Sequence, residues 1–322
     1  MKEYYAVYDV AVRDFAIDFL NRFRGDVIGQ TAIICDESHK TLASVEYICK
    51  DLLQAEADRS TILLAIGGGV CSDICGLVAG IYKRGISLEI VPTTLLAMAD
   101  AAVGGKNGVN LDGVKNAIGT FKLPSKIHYR REVLSTLSDS QIKSGGAEIL
   151  KTFLLFDEKR YHKAVSLLST LDKGVQDNDA RGQLLKDLSK LAENAAKYKL
   201  RIVRKDPFDK GRRHLLNFGH TFGHAIEWKS EGTLSHGESV AIGIIKALRL
   251  SEAKGIAPKG LADRVASDFE NCGLPTQMPF AEQELLEAID NDKKLSNGKL
   301  DFVFLKRPGK ATLKKSRIKD LL

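Results

Sequence analysis

Short apolar, β-branched segments alternate with helical segments in the N-terminal part of the chain, and this alternation constrains the fold more than any other feature. Residues 4–10, 31–35, 61–66 and 87–91 have the length and composition of buried strands. Between them, 11–23 and 41–53 place apolar side chains at helical spacing, as crossover helices do. Strands that alternate with helices form parallel sheets. The pattern therefore predicts a parallel α/β domain.

Helical periodicity dominates after residue 139. The predicted helices are 141–156, 158–171, 178–204, 218–229, 236–254, 259–271 and 281–291, and only 299–305 and 311–315 look like strands. A chain of 322 residues also exceeds the length at which single cores stop growing, about 250–300 residues. We predict an α/β domain at 1–138 and a mainly α-helical domain at 139–322.

Three glycines stand between the predicted strand 61–66 and an amphipathic helix, in TILLAIGGGVCSDICG. Glycines at 67–69 let backbone N–H groups approach a phosphate at the helix N-terminus, where the helix dipole adds attraction. The spacing is not GxGxxG, so a plain tight turn is the alternative to a pyrophosphate site. Asp73 is predicted to lie in the first helical turn, either as a helix-terminal charge or as a cofactor contact.

The segment 91–118 is rich in Gly, Asn, Asp and Lys and lacks a second apolar face, which predicts a long loop. Its polar residues include Asp100, Lys106, Asn107, Lys115 and Asn116. Ammonium and amide groups in one loop suit a polyhydroxylated anion, and a solvated loop is the alternative.

Three of the seven histidines fall within residues 217–238. His220 and His224 are four residues apart, and His236 opens the next predicted helix. Imidazoles at i and i+4 can bind one ion, and a third ligand from a neighbouring helix leaves a coordination position open for substrate. A carboxylate would complete the site. The candidates are Glu148, Glu227 and Glu238, and the set His220, His224 and Glu227 is possible from spacing alone.

Glu148, in SGGAEILK, is predicted to be buried at the start of an apolar helix. A buried carboxylate needs a charge partner, and Lys151, one turn further on, can serve.

The chain carries 48 Lys plus Arg against 41 Asp plus Glu, a net charge of +7, so an anionic partner is expected. Nucleic acid and a phosphorylated metabolite are both candidates. Five cysteines without a CxxC pair fit a reducing compartment. No signal peptide and no long apolar run is apparent, so we expect a cytoplasmic protein that does not bind membranes.

An ordered set of motifs runs through the chain: GGGVCSDICG, IYKRG, VPTTLLAMADAAVGGKNGVN, KNAIG, GGAEILK, LLNFGHTFGHAIE, LSHGE and DKK. With them the sequence resembles the 3-dehydroquinate synthase family of sugar-phosphate cyclases, from about Tyr5 to the last strands. The resemblance implies a Rossmann-like N-terminal domain that holds NAD, a helical C-terminal domain that holds one divalent metal, zinc or cobalt, and a homodimer. Ala11 and Ser72 stand where the family tends to have Asn and Gly, and the family usually has a β-hairpin before the first strand.

The resemblance places the metal ligands at Glu148, His220 and His236, and so decides against Glu227. It implies that the substrate contacts are Lys106, Asn116, Lys151, Lys199, Arg213, Asn217 and Lys293. His224 matches a residue that handles the substrate phosphate and protons, and Arg84 one that reaches a neighbouring subunit's phosphate. The implied cofactor residues are Asp9, Glu37, Lys40, Gly68, Gly69, Asp73, Thr93, Thr94, Lys106, Lys115 and Asp100, the last shared with the substrate.

The implied reaction converts 3-deoxy-D-arabino-heptulosonate 7-phosphate into 3-dehydroquinate and phosphate, a step of aromatic amino acid biosynthesis. It runs by transient hydride transfer to NAD, phosphate elimination, re-reduction and aldol closure. A substrate with a phosphate and a carboxylate accounts for the positive charge without nucleic acid. The alternatives are another sugar-phosphate cyclase, or a metal-dependent polyol or glycerol-phosphate dehydrogenase, in which NADH would accumulate.

Overall fold

The computed structural model describes residues 2–281, 283–285, 299–317 and 320–321. The chain divides into two compact units, Met1–Leu137 and Ser138–Leu322. Within the described residues, no helix combines the length and the apolar character needed to cross a bilayer.

The first unit is built on a five-stranded parallel sheet. Its strands are β1 (Glu3–Asp9), β2 (Asp26–Ile33), β3 (Ile62–Gly67), β4 (Ser87–Pro92) and β7 (Lys126–Ile127). Their order is β2-β1-β3-β4-β7, and every neighbouring pair is parallel. The predicted parallel sheet is confirmed, although its second strand is Asp26–Ile33 rather than 31–35.

Helices cover both faces of this sheet. Successive side chains of a strand point to opposite faces, so each strand contributes apolar side chains to both sides. The helices are α1 (Arg13–Asn21), α2 (Leu42–Gln54) and α3 (Gly69–Ile81). Tyr5 and Val7 of β1 pack in one cluster with side chains of α2 and α3. Tyr4 and Tyr8 pack on the other face with Phe19 of α1. The strands are buried on both sides, which explains their continuous apolar sequence.

Residues 91–118 do not form the predicted long loop. A π-helical turn, Ala97–Ala101, continues into the short α4 (Ala102–Gly104), and an antiparallel hairpin follows, β5 (Lys106–Leu111) and β6 (Val114–Phe121). Asp112 and Gly113 both have positive φ, 49° and 77°, as a two-residue hairpin turn requires. Val109 is fully buried, so the segment does supply an apolar face. The many polar residues of the segment make this apolar face hard to recognise in the sequence.

The second unit is mainly helical, as predicted. Its helices are α5 (Asp139–Phe156), α6 (Glu158–Asp172), α7 (Asn178–Val203), α8 (His220–Lys229), α9 (His236–Ala253) and α10 (Leu261–Asn271). One antiparallel hairpin, β8 (Lys299–Arg307) and β9 (Lys310–Arg317), confirms the two predicted strands. Most of the predicted helix 281–291 lies outside the described residues.

Two helices that carry predicted ligands begin with capping boxes, in which a serine and the side chain three residues later satisfy each other's backbone N–H groups. Ser138 and Gln141 cap α5. Ser235 and Glu238 cap α9, so that His236 is its first residue. Glu238 is therefore occupied as a cap: its Oε2 accepts the Ser235 N–H at 2.8 Å.

Candidate metal centre and cofactor-binding residues

Glu148 lies in the middle of α5 and not at the start of a helix, because the capping box starts α5 at Asp139. Its side chain is 1% exposed, and its Oε2 is ion-paired with the Lys151 ammonium on the next turn. Burial raises the pKa of this carboxyl, but the charge of Lys151 and a hydrogen bond with His236 lower it well below its usual range. Glu148 is therefore an anion held by its own helix.

Two imidazoles face the other oxygen of Glu148. His220, the first residue of α8, places Nε2 3.5 Å from Glu148 Oε1, and His236 places Nε2 3.3 Å from the same atom. The three ligand atoms lie within 4.8 Å of one another. His224 is close by, with its ring centroid 5.1 Å from that of His220 and 6.2 Å from that of His236. The structure thus brings together the three residues that the resemblance implied as metal ligands.

The second nitrogen of each imidazole is engaged elsewhere. His236 Nδ1 hydrogen-bonds Glu227 Oε2 at 2.8 Å, and His220 Nδ1 donates to the Phe218 carbonyl at 3.3 Å. Such contacts orient a metal-binding histidine and leave Nε2 for the ion. Burial lowers the pKa of His236, but Glu148 and Glu227 together raise it to about 10. Glu227 therefore acts on the ligand His236 and is not in the ligand set itself.

Glycines allow the three helices to approach closely enough for this arrangement. A Cβ on Gly237 would lie 2.2 Å from the Ser144 carbonyl oxygen of α5, and the Gly237 N–H donates to Ser144 Oγ at 3.1 Å. A Cβ on Gly243 would lie 2.2 Å from the Gly219 carbonyl oxygen. The first contact brings His236 to Glu148, and the second sets α9 against the start of α8.

The donor set fits a divalent cation. Two imidazole nitrogens and one carboxylate oxygen suit zinc or cobalt, which would displace the proton of His236 on binding, and three protein ligands leave a coordination position open. Two Nε2 atoms that converge on one buried carboxylate oxygen are the geometry that a shared ion would require.

The other residues of this unit that the resemblance implied as substrate contacts lie on two elements. Lys199 is buried on α7, and Arg213 and Asn217 belong to the 3-10 turn Arg212–Asn217 that leads into α8. Arg213 Nη1 donates to the Pro207 carbonyl at 3.0 Å. Lys293 lies outside the described residues.

In the first unit, several residues that the resemblance implied as cofactor contacts lie at or just after the carboxyl ends of adjacent strands. β2 lies on one side of β1, and β3, the next strand in the chain, lies on the other side of β1. The strand order therefore reverses between β1 and β3, and α/β sheets bind ligands at such a switch point. Asp9 ends β1, and Gly68 and Gly69 follow β3. A Cβ on Gly68 would lie 3.2 Å from Thr94 Cγ2. The helix α3 begins at Gly69, so Asp73 lies in its second turn rather than its first.

Lys40 connects predicted site residues from two other segments of the first unit. Its buried ammonium donates to Asp73 Oδ2 at 2.5 Å and to Asn116 Oδ1 at 2.6 Å. Asn110 of β5 donates to Glu37 Oε1 at 2.9 Å. The hairpin therefore gathers Glu37, Lys40 and Asp73, and Asn116, expected on the substrate, lies among them.

The remaining predicted site residues of the first unit occupy other positions in the fold. Asp100 lies in the π-helical turn, Thr93 is buried at the end of β4, and Lys106, Lys115 and Arg84 are exposed. Arg84 has a φ of 67° and Lys83 one of 46°, in a turn after α3.

Comparisons with known proteins identify the family of the chain. Residues 30–144 match the family described as 3-dehydroquinate synthase N-terminal, and residues 145–295 match its C-terminal counterpart. A 3-dehydroquinate synthase of Dehalococcoides mccartyi strain CBDB1 is 38% identical over 284 residues, 88% of this chain and 77% of the relative. The chain belongs to the 3-dehydroquinate synthase family.

Further relatives extend the match over nearly the whole chain. The 3-dehydroquinate synthase of Campylobacter fetus subsp. fetus strain 82-40 is 35% identical over 311 residues, 95% of this chain and 86% of the relative. Among solved structures, the 2-epi-5-epi-valiolone synthase of Streptomyces hygroscopicus subsp. jinggangensis 5008, with NAD+ and Zn2+ bound, has a TM-score of 0.85 at 25% identity. That alignment covers 100% of this chain and 89% of the other. The two-domain fold of 3-dehydroquinate synthases is thereby confirmed.

Spacing alone did not decide whether Glu227 is a metal ligand, but it did indicate that Glu227 lies near the histidines. Residues 220, 224 and 227 lie on one face of a helix, so Glu227 had to lie near the histidines. Only the position of α9 beside α8 shows that Glu227 contacts Nδ1 of His236. The Phe218 carbonyl has no sequence signal, because any residue supplies one.

Proposed function

We propose that this member of the 3-dehydroquinate synthase family converts 3-deoxy-D-arabino-heptulosonate 7-phosphate into 3-dehydroquinate and phosphate. The observation that carries the proposal is the buried Glu148 carboxylate facing the Nε2 atoms of His220 and His236. The identities of 34–40% to curated 3-dehydroquinate synthases support the choice of substrate. The enzyme would be a phosphate-eliminating lyase.

The reaction requires two bound groups, and the chain offers residues for both. NAD, held by the residues around Asp9, Gly68, Gly69 and Asp73, supplies reversible hydride transfer to and from a secondary alcohol. A divalent cation on Glu148, His220 and His236 supplies Lewis acidity toward substrate oxygens. The valiolone synthase of similar fold, solved with NAD+ and Zn2+, supports both assignments.

Lys151 and His224 are placed to manage charge and protons beside the metal ligands. Lys151 keeps Glu148 ionised through Oε2, which leaves Oε1 for the cation. His224 lies on the same helix face as His220, and its ring packs at an angle of 72° against that of His220. A titratable imidazole in this position can pass a proton to or from the phosphate leaving group.

Buried cations offset the charge of the substrate. A phosphate and a carboxylate together carry about three negative charges at neutral pH. Lys199 is 9% exposed and Arg213 3% exposed, so both present charge in a poorly hydrated setting where it attracts anions strongly. We assign Arg213, Lys199 and Asn217 to the phosphate and hydroxyl groups, and Lys106, Asn116 and Asp100 to the remainder of the substrate.

The test is turnover of the purified protein with NAD, zinc and the heptulosonate phosphate. Phosphate and 3-dehydroquinate should appear in equal amounts, with no net accumulation of NADH. Chelation of the metal should abolish both products, and zinc should restore them. Phosphate release that survives chelation would contradict the proposed site.

Three histidine variants separate metal binding from chemistry. His236→Ala is expected to lose zinc and activity, whereas His224→Ala should keep about one zinc per chain and turn over about 100-fold more slowly. His162→Ala, on an exposed position of α6, is the control and should retain both. Loss of zinc from His224→Ala would show that the ligand set is wrong.

A second sugar-phosphate cyclase activity is supported by the likeness to the valiolone synthase. The 34–40% identities to 3-dehydroquinate synthases favour the heptulosonate phosphate, which carries a carboxylate, over a sugar phosphate that lacks one. Competition between the two substrate classes, read out by the identity of the carbocyclic product, decides between them. A polyol dehydrogenase would instead accumulate NADH.

We also propose that the enzyme is a cytoplasmic homodimer in which Arg84 reaches the phosphate of the neighbouring subunit. Light scattering gives the mass, and mixing Arg84→Ala with a His236→Ala chain tests the shared site. If Arg84 acts across the interface, the mixture should recover part of the activity that each variant lacks alone.

A further inference from the structure

A single carboxylate organises the loop between α7 and the turn that carries Arg213. Asp206 Oδ1 accepts the Lys210 N–H at 2.9 Å. Its Oδ2 accepts the Gly211 N–H at 2.8 Å and the Arg213 N–H at 3.0 Å. Three backbone donors, one of them from Arg213 itself, therefore converge on one side chain.

Asp206 is fixed at its own end by α7. Its N–H donates to the Ile202 carbonyl at 3.0 Å, in the last turn of that helix. The carboxylate therefore ties the end of the helix that carries Lys199 to the first residues of the turn that carries Arg213 and Asn217. A movement of one relative to the other would break these bonds.

The same loop holds the guanidinium of Arg213. Arg213 Nη1 donates to the carbonyl of Pro207, the residue next to Asp206. Both the backbone and the side chain of Arg213 are thus held by a segment whose shape depends on Asp206.

The Asp206 carboxylate stands among several positive charges of this loop. Lys205, Lys210, Arg212 and Arg213 place four positive charges within nine residues. Asp209 has a φ of 56°, a conformation that non-glycine residues adopt rarely. The N–H groups of Arg213 and Lys210 lower the pKa of Asp206, because they stabilise its ionised form.

A second attachment joins the loop to β8. His214 Nδ1 lies 2.9 Å from Asp301 Oδ2, and His214 Nε2 donates to the Asp209 carbonyl at 2.8 Å. The loop is thus held at two places, at His214 by Asp301 and at the Arg213 N–H by Asp206.

We propose that Asp206 is a positioning residue that holds the Arg213 guanidinium in place for a phosphate. This inference rests on the proposed function only in assigning the phosphate to Arg213. Asp206 itself touches no substrate, and it acts through the Arg213 backbone and the Pro207 carbonyl.

The experiment is a double-variant cycle with Asp206→Asn and Arg213→Lys. Asparagine retains one acceptor oxygen, so at least one of the three N–H bonds is lost while the fold is kept. The measurements are KM and kcat with the heptulosonate phosphate, the inhibition constant of inorganic phosphate, zinc content and the thermal midpoint. Asp177→Ala, which removes an exposed cap at the other end of α7, is the matched control.

Asp206→Asn is expected to raise both KM and the phosphate inhibition constant about tenfold, with kcat and zinc content close to the wild-type values. In the Arg213→Lys background, Asp206→Asn should change KM and the phosphate inhibition constant less than about twofold, because the effects of substitutions at residues that act together are not additive. The control should lower the thermal midpoint without changing the phosphate constant.

Two results would overturn the proposal. Equal tenfold effects of Asp206→Asn in both backgrounds would show that it acts independently of Arg213. A phosphate constant no different from that of the control would show a purely structural role. If the wild-type protein binds phosphate but does not turn over the heptulosonate phosphate, the proposed function fails. The phosphate affinities of the same four proteins, measured by calorimetry, then test the role of Asp206. A wild-type protein that does not bind phosphate at all would refute both.

Discussion

Substitution of Gly237 by alanine should disable metal binding while leaving most of the fold in place. The new Cβ would lie 2.2, 2.5 and 2.7 Å from three backbone atoms of Ser144, which cannot rotate away as a side chain would. Ordinary contact distances begin at about 3.5 Å, so the first turn of α9 must retreat from α5 by about 1 Å. His236 begins that turn, and Glu148 lies one helical turn after Ser144.

A shift of this size exceeds what a metal site tolerates, because ligand distances are held to within about 0.2 Å. We expect zinc affinity to fall at least about 100-fold, and overpacking to cost about 1–3 kcal/mol of stability. Competition with a chromogenic chelator measures the affinity, and urea unfolding of the zinc-free protein measures the stability.

Gly182→Ala is the matched control. Gly182 lies inside α7, and a Cβ there would meet nothing within 4 Å. This variant should bind zinc normally and gain about 1 kcal/mol, the usual advantage of alanine over glycine in a helix. If Gly237→Ala bound zinc as tightly as Gly182→Ala, the close approach of α9 to α5 would not be what assembles the site.

Two further predictions concern single carboxylates of the second unit. Glu227→Ala removes the partner of His236 Nδ1 and should weaken zinc binding about 10- to 100-fold, measured by the same chelator competition. Asp157→Ala removes the cap of α6 and the acceptor of the Tyr198 hydroxyl at 2.8 Å, and should cost about 1–2 kcal/mol. Burial raises the pKa of Asp157, but hydrogen bonds from Arg160 and Tyr198 lower it overall. Its contribution is therefore present above about pH 4 and lost below it, so the difference in urea midpoint between variant and wild type should shrink between pH 5 and pH 3.

Periodicity predicted the elements well where the chain alternates strongly between apolar strands and amphipathic helices. The strands β1, β3 and β4 and the helices of the second unit lie within a few residues of their expected positions. The hairpin Lys106–Phe121 was missed because composition outweighed the Asp-Gly turn signal between two short alternating segments.

The candidate metal centre could be predicted only in part from the sequence itself. The i, i+4 spacing identified His220 and His224 as neighbours, but spacing could not choose a carboxylate, because Glu148 lies 88 residues from His236. The resemblance named the ligands, and the packing of α9 on α5 brings them together. The contacts of Asp206 could not be predicted, since they depend on backbone N–H groups whose direction is set by the folded loop.

All three candidate ligands belong to helices of Ser138–Leu322, and the groups that orient them, Lys151, Glu227 and the Phe218 carbonyl, lie in the same unit. The candidate cation site is therefore complete within one compact unit of the chain. In the proposed enzyme, metal loading would then not require bound NAD, and the two groups would bind in either order.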